Sequence, residues 1–275
     1  MEPGIYPHLS NEDYHTSAGI SKSGISLILK CPELFYKRQK TKQTPAMLLG
    51  SATHTAILEP EKFSQEYIIF PKIDKRSKQG KEDWSRWQAE NQGKSALDQD
   101  DYDRIQAMRD SVMAHPIAGE IFDYPGQAET SIYVEHEYTG GLCKVRPDKI
   151  QEDILVDLKT TMDASPDGFS KSCFNFDYHI QAGMYLKVCN QAGLNVKTFL
   201  FVTVENKEPY SVAVYTASRD MIEFGEQRFH EGMAVYHDCR TSMTWPGYNS
   251  DRIETIDLPA WAYKKSNFSS LQGAF

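Results

Sequence analysis

Cysteine is scarce and scattered in this chain. The five residues, at 31, 143, 173, 189 and 239, are odd in number and no two stand in C-x-x-C, which excludes a disulfide framework and a zinc knuckle. Long apolar runs are missing as well: none approaches the ~20 residues that cross a bilayer. The opening Met1-Glu2-Pro3-Gly4-Ile5-Tyr6 has neither the basic nor the apolar region of a secretion signal. The expectation is a protein of a reducing cytoplasm with no membrane partner, in which the sequon Asn267-Phe268-Ser269 has no use. Also absent are G-x-x-x-x-G-K-[ST], H-E-x-x-H, G-x-S-x-G and a G-x-G-x-x-G behind a strand. A P-loop ATPase, a zincin, a serine hydrolase and a dinucleotide enzyme therefore lack support. No internal repeat, low-complexity tract or long linker divides the chain.

What is present is a globular composition. The 275 residues, 40% hydrophobic and 25% charged, suffice for one large domain or two small ones with a real core. The net charge of −8 argues, as a sum, against a nucleic-acid partner, but binding depends on where charge sits. Between Lys22 and Lys42 stand six basic residues and one acid, Glu33; between Lys72 and Arg86 stand six basic residues and three acids. Acids concentrate around 98–103 and in 120–163. That asymmetry fits phosphate binding beside a metal site, and equally fits two solvated faces.

Periodicity predicts helices from Ser21 or Ser23, over Pro32–Gln39 and over Met47–Leu58, the last ended near Pro60. A short strand is expected at 67–70, a mobile basic loop at 72–83, and helices at 82–91 and 98–114, the latter running into Pro116. The period then changes. Strands are expected at 128–138, 142–150 and 153–160, a helix at 176–192, strands at 196–205 and 209–216, and a long helix at 218–238. An irregular tail with one short strand closes the chain. The order suggests an α/β sheet with helices on its faces.

The chemistry concentrates in the middle. Arg146-Pro147-Asp148 falls near the end of one expected strand and Asp157-Leu158-Lys159 ends the next. Alternation puts Asp157 and Lys159 on one face. If the two strands are neighbours, Asp148 lies close to Asp157, and two adjacent carboxylates call for a cation between them. An all-oxygen set, with the Leu158 carbonyl as a further ligand, suits Mg²⁺ or Mn²⁺ rather than Zn²⁺. A lysine two residues beyond a metal-binding acid can orient water and steady charge on a phosphate. Taken alone, D-x-K is more often a surface ion pair; the apolar Ile154-Leu155-Val156 before it delivers these charges from a buried strand.

Glu129 opens the first strand of the set and either joins the site or faces solvent. Gln181 and Tyr185, four apart on one helix face, could reach a catalytic group or DNA, or belong to surface and core. Gly50 and His54 share a helical face on which small residues permit close approach; a lone helical histidine is more often structural. Trp84 and Trp87, among Lys81 and Arg86, could stack on bases or pack a lid or core.

Taken in order, Gly50-x-x-x-His54, Glu129, Pro147-Asp148, Asp157-x-Lys159 and Gln181-x-x-x-Tyr185 follow Gly19-Ile20-Ser21-Lys22-Ser23 and Cys31-Pro32-x-x-Phe35. Over roughly residues 5 to 240 the chain resembles the RecB-like nucleases of the PD-(D/E)XK superfamily. More narrowly it resembles their exonuclease VIII (RecE) branch, through Tyr14-His15, residues 19–23 and Cys143-Lys144-Val145-Arg146-Pro147-Asp148. Each motif alone is weak; five in order at compatible spacing are specific.

The resemblance implies an α/β PD-(D/E)XK nuclease fold, a central mixed sheet flanked by helices. It implies one domain over 1–275, with a helical part at about 1–120, a catalytic sheet core at about 121–240 and the tail at about 241–275. It implies Mg²⁺-dependent hydrolysis of double-stranded DNA from an end, 5′ to 3′, with Mn²⁺ as a substitute and no ATP. In this reading Asp148, Asp157, the Leu158 carbonyl and His54 hold metal, Lys159 activates water, and Glu129 supports the site. Gln181 and Tyr185 position the scissile strand, and Ser23 contacts phosphate; Lys22, Lys37 and Arg38 are added from charge. The implied partners are DNA ends, a single-strand annealing protein of the RecT type and further copies of the chain in a tetrameric ring, in a bacterial or phage setting. Iron–sulfur relatives carry one early and three late cysteines; here only Cys239 is late, so no iron–sulfur cluster is expected. The acid of D-x-K is Asp rather than Glu, as in the exonuclease VIII branch. Full exonuclease VIII is much longer at its N-terminus. An endonuclease or structure-specific nuclease on this fold, and a non-catalytic DNA-binding adaptor, remain open at this point.

Overall fold

The computed structural model of the chain describes residues 1–39, 43–74, 76–248, 252–259 and 262–263. In chain order the elements are β1 (Gly4–Tyr6), α1 (Asn11–Thr16), α2 (Lys22–Lys30), α3 (Pro32–Tyr36), α4 (Pro45–Leu58), α5 (Pro60–Glu66) and β2 (Tyr67–Ile69). There follow α6 (Lys78–Glu90), β3 (Ser95–Leu97), α7 (Gln99–Ala114), α8 (Pro116–Asp123), β4 (Gln127–Ala128), β5 (Ser131–Glu135), β6 (Leu142–Val145) and β7 (Lys149–Gln151). The last are β8 (Ile154–Thr161), α9 (Pro166–Asn175), α10 (Tyr178–Gln191), β9 (Thr198–Glu205), β10 (Val212–Thr216) and α11 (Arg219–Ser242).

The main sheet has five strands in the order β10-β9-β8-β7-β4. β8 and β9 run parallel over Ile154–Thr161, and the other neighbours are antiparallel, so the sheet is mixed. A second, antiparallel sheet has the order β1-β5-β6, and β2 and β3 form a small parallel pair. Alternation along β8 sorts the core. Leu155 joins Phe199 and Phe201 and the apolar side of α10, whereas Val156 and Leu158 join Val202, Val204 and the buried faces of α4 and α7. Asp157 and Lys159 therefore share the α10 side. The expected α/β architecture of a mixed sheet between helices is observed.

Several expected elements are revised. The strand expected at 142–150 is two strands in two different sheets, split at Arg146-Pro147-Asp148, where proline removes a ladder N–H. The strand expected at 128–138 is likewise divided between β4 and β5. Pro60, Pro116 and Pro166 open helices at the first turn, where the missing N–H costs nothing, so α5 and α8 arise where stops were expected and α9 in a stretch with no expected element. The second half of the basic loop expected at 72–83 is helix α6, capped by Ser77, whose hydroxyl accepts from Gly80 N. Trp84, Trp87 and Phe70 stack on one another, with centroids 5.1–5.8 Å apart, outside both buried cores. α3 ends at Tyr36, short of Gln39. No strand follows α11 among the described residues; most of the tail beyond 248, Lys40, Lys42 and the sequon at 267–269 lie outside them.

α10 is locked against α11 by backbone contact. A Cβ at Gly225 would lie 1.7 Å from the His179 carbonyl oxygen, and one at Gly183 would lie 2.2 Å from Glu226 N. Because α10 carries Gln181, this approach sets how deeply the helix seats on the sheet. Gly225→Ala is expected to cost about 2 kcal/mol and lower Tm by about 5 °C in thermal denaturation. An unchanged Tm would contradict the backbone contact.

Candidate metal centre

β7 begins at Lys149, opposite Val156, so from Asp157 onward one edge of β8 has no strand beside it. The Leu158 N–H that points to that edge donates to Asp148 Oδ2 at 2.7 Å. In a strand the carbonyl of a residue points the same way as its N–H, so the Leu158 carbonyl faces the same edge. It meets the His54 ring there, a contact that favours the protonated imidazole. His54 Nδ1 lies 3.4 Å from Asp148 Oδ2. Glu129 follows β4 with a left-handed φ of 49°, its N–H bonded to the Asp148 carbonyl at 3.1 Å, which turns its carboxylate back towards the edge. Ligand atoms of His54, Glu129 and Asp148 all lie within 4.8 Å of one another.

Asp157 is buried beside them. Its Oδ1 accepts from Gln181 Nε2 at 2.5 Å. Its Oδ2 pairs with Lys159 Nζ at 2.5 Å and has no other partner among the described residues. Burial pushes the carboxyls of Asp148 and Asp157 up to about 6, against the pull of Lys159. Burial and then the Asp148 carboxylate push Glu129 up to about 8, Arg146 opposing. For Lys159, burial favours the neutral amine, but Asp157 and Asp148 outweigh it and hold the ammonium above its ordinary value. Burial, then Lys159, drives His54 down to about 4, so the ring is neutral at pH 7 and has a lone pair to offer.

This is the electrostatics of carboxylates gathered without enough positive charge. The Glu129 and Asp148 carboxylates and the His54 imidazole, within ligand distance of one another and beside the Asp157–Lys159 pair, fit a divalent cation with mostly oxygen donors. The Leu158 carbonyl faces the same point.

The other expected residues divide. Lys22 is drawn in: its Nζ donates to the Phe176 carbonyl and lies 5.6 Å from the Tyr178 ring, over which Lys159 sits at 4.7 Å. Burial and then Lys159 lower Lys22 to about 8. Ser23 is exposed at the start of α2, 3.0 Å from the Ser21 hydroxyl. Tyr185 is a core residue: burial first, with the Asp157 and Asp148 carboxylates adding, raises its hydroxyl, and its ring meets Phe199 edge-on. Lys37 pairs with Glu33 at 2.5 Å and Arg38 lies on the Phe35 ring, neither touching the centre among the described residues. Gly50 is not demanded by close approach, since a Cβ there would meet Thr160 Oγ1 at an ordinary 3.6 Å; Ala52, Thr53 and Ala56 make the buried contact.

Sequence reasoning assigned no role to Arg146 or Tyr178. Arg146 is buried, donates to Ser131 Oγ at 2.8 Å and to the Leu9 carbonyl at 2.6 Å, and approaches Glu129 at 3.9 Å. Its place next to Pro147-Asp148 was the available signal. Tyr178 offered none, because its two lysines come from positions 22 and 159.

Unfolded, the two aspartyl groups titrate near 4; folded, they titrate at about 6. Between these values the folded chain binds more protons, so their stability contribution falls as pH rises from about 4 to about 6 and is lost above that. A divalent cation needs both carboxylates ionised. Millimolar Mg²⁺ or Mn²⁺ is therefore expected to raise Tm by several degrees at pH 7.5 and far less at pH 5, with the gain abolished in Asp148→Asn. Equal gains at both pH values would contradict a cation at this centre.

A solved structure from Eubacterium rectale, described as "Putative exonuclease", superposes with a TM-score of 0.60 at 13% identity, covering 94% of this chain and 98% of that one. It shows a shared fold. A "phage related exonuclease" from Haemophilus somnus 129PT matches at 11% identity over 85% of this chain and all of the other, with a TM-score of 0.37. The structure SSO0001 matches at 14% over 82% and 89%, with 0.30. At those scores neither carries a structural argument. No curated protein matches the chain. Residues 21–259, which include every residue of the centre, match the family described as "PDDEXK-like domain of unknown function (DUF3799)", and the chain belongs to that family.

Proposed function

We propose that the protein is a Mg²⁺-dependent exodeoxyribonuclease that degrades double-stranded DNA from an end, 5′ to 3′. Mn²⁺ serves as a substitute. The product is a 3′ overhang that a RecT-type annealing partner would use. The observation that carries the hydrolytic part is the gathering of Asp148, Asp157, Glu129 and His54 beside Lys159 on one edge of β8. Membership in a PDDEXK-like family and a neighbour of the same fold described as an exonuclease support it. Polarity, the annealing partner and a tetrameric ring rest on the resemblance of the motifs to the exonuclease VIII branch.

When bound, a divalent cation supplies a polarised phosphate oxygen and a more acidic water. Asp148, Glu129 and His54 are the groups that would hold it, with Asp157 and the Leu158 carbonyl beside them. Gln181 fixes the Asp157 carboxylate through Oδ1, with Oδ2 held against the Lys159 ammonium. Lys159, kept charged by Asp157 and Asp148, is a donor: it orients the attacking water and stabilises charge growing on the phosphate. Lys22, held over Tyr178 beside Lys159, offers a second positive charge for the neighbouring phosphate, with the exposed Ser23 hydroxyl next to it.

Linear 5′-phosphorylated duplex and covalently closed circles, each with Mg²⁺ and with EDTA, test the reading. Loss of linear DNA alone is expected, with Asp157→Ala and Lys159→Met slower by about 10²–10³-fold or more and Gln181→Ala by about 10–100-fold. Cutting of circles would replace the exonuclease by an endonuclease. Cleavage of neither would leave a DNA-binding adaptor.

A further inference from the structure

The chain has ten arginines. Eight of them, Arg76, Arg86, Arg104, Arg109, Arg146, Arg219, Arg228 and Arg252, have a carboxylate within 4 Å. The two that pair with no described carboxylate, Arg38 and Arg240, line the same cleft. It lies between residues 17–20, α3 and the end of α11, and its volume of about 500 Å³ is within the range of small-molecule sites. Among the described residues, no acidic side chain lines it.

Its other walls are aromatic. Trp245 lies nearly parallel to Phe35 and to Tyr36, at 5.7 Å and 5.1 Å, with Tyr236 tilted at 6.0 Å. Arg38 is 3.6 Å above the Phe35 ring and donates to the Phe35 carbonyl; Arg240 lies 5.7 Å from the Tyr236 ring and donates to its hydroxyl at 3.3 Å. These acceptors are neutral and leave both guanidinium charges uncompensated. Tyr36 is 61% exposed although stacked, so the platform has an accessible aromatic surface. The segment bearing Trp245 is fastened to α3: the Pro246 carbonyl accepts from Glu33 N at 3.1 Å and from Cys31 Sγ at 3.7 Å. The opposite wall, residues 17–20, leads within two residues to Lys22 at the metal centre.

Flat rings flanked by unpaired guanidiniums, without acids, recognise a ligand that alternates planar bases with phosphates. We infer that this cleft is a subsite for one or two unpaired nucleotides, with bases on the Tyr36–Trp245 stack and phosphates at Arg38 and Arg240. The choice of DNA as the polyanion rests on the nuclease reading above; the chemistry of the cleft does not.

The test is fluorescence anisotropy of a labelled 12-nucleotide single strand with the intact chain in EDTA, titrated over a range of salt. Arg240→Ala is expected to weaken binding about 10-fold and to reduce the salt slope by about 0.7. Tyr36→Ala is expected to weaken it about 10-fold, with Tyr36→Phe retaining affinity. An abasic strand of equal length is expected to bind about 10-fold less tightly. Arg240 is exposed, and its side chain bonds to Tyr236 and to no carboxylate among the described residues, so its variant tests the cleft at little cost to the fold. Equal affinity of wild type, Arg240→Ala and Tyr36→Ala overturns the inference. Equal affinity for the abasic strand overturns base stacking and leaves a surface for acidic peptides or other polyanions. Asp157→Ala, measured alongside, separates the two readings: cleft-dependent binding without cleavage by wild type would sink the nuclease and keep the subsite, and cleavage with cleft-independent binding would do the reverse.

Discussion

The carboxylate of Asp148 stands where a strand partner would otherwise be. β7 stops pairing at Val156, and the next N–H of β8 on that side, at Leu158, is buried. Left unbonded it would cost about 1–3 kcal/mol. Asp148 Oδ2 takes it at 2.7 Å, so a carboxylate of the candidate centre also terminates a ladder. That one bond fixes the reach of β7, the exit of the chain at Pro147 and the direction of the Leu158 carbonyl. Glu129, whose N–H is bonded to the Asp148 backbone, and His54, beside its side chain, are placed by the same element.

The cost of this arrangement is electrostatic. Buried carboxylates need paired charge. Lys159 serves Asp157, Arg146 stands off Glu129 at 3.9 Å, and the upward displacement of three carboxyls records what remains unmet. The surrounding packing is tight enough to hold them together: Leu155, Val156 and Leu158 are fully buried, and α10 is clamped by the Gly183–Gly225 contact that seats Gln181 on Asp157. The fold sustains a centre that a cation would relieve.

What could be read from the sequence follows from range. Asp157 and Lys159 are two apart on one strand, and Asp148 lies one hairpin away, so alternation and one pairing assumption sufficed. Gln181 was visible as a helix face following that strand, though not as a ligand of Asp157. The split at Pro147 was hidden because periodicity reports extension and not which sheet a strand enters. α5 and α8 were hidden because their opening prolines read equally as stops. Tyr185 shared a face with Gln181, yet burial against Phe199 made it core. The cleft was beyond reach, because Phe35 and Trp245 meet only through tertiary packing.

The net charge of −8 stands against the proposed DNA substrate as a sum, and the hydrogen-bond acceptors of the cations bear on it. Lys144, whose ammonium burial lowers only to about 8, donates to the Tyr14 and Ser17 carbonyls. Lys22 donates to the Phe176 carbonyl and Arg38 to the Phe35 carbonyl. Arg240 donates to a tyrosine hydroxyl. Neutral oxygens satisfy the geometry of these donors without cancelling their charge, whereas Arg76, Arg109 and Arg219 on the outer surface are spent on carboxylates. Charge held by neutral acceptors is thereby left at Lys22, Lys144 and Arg38 and at Arg240 in the cleft. Local charge and not the net sum governs attraction of a polyanion, so the net charge of −8 is compatible with the proposed nuclease reading.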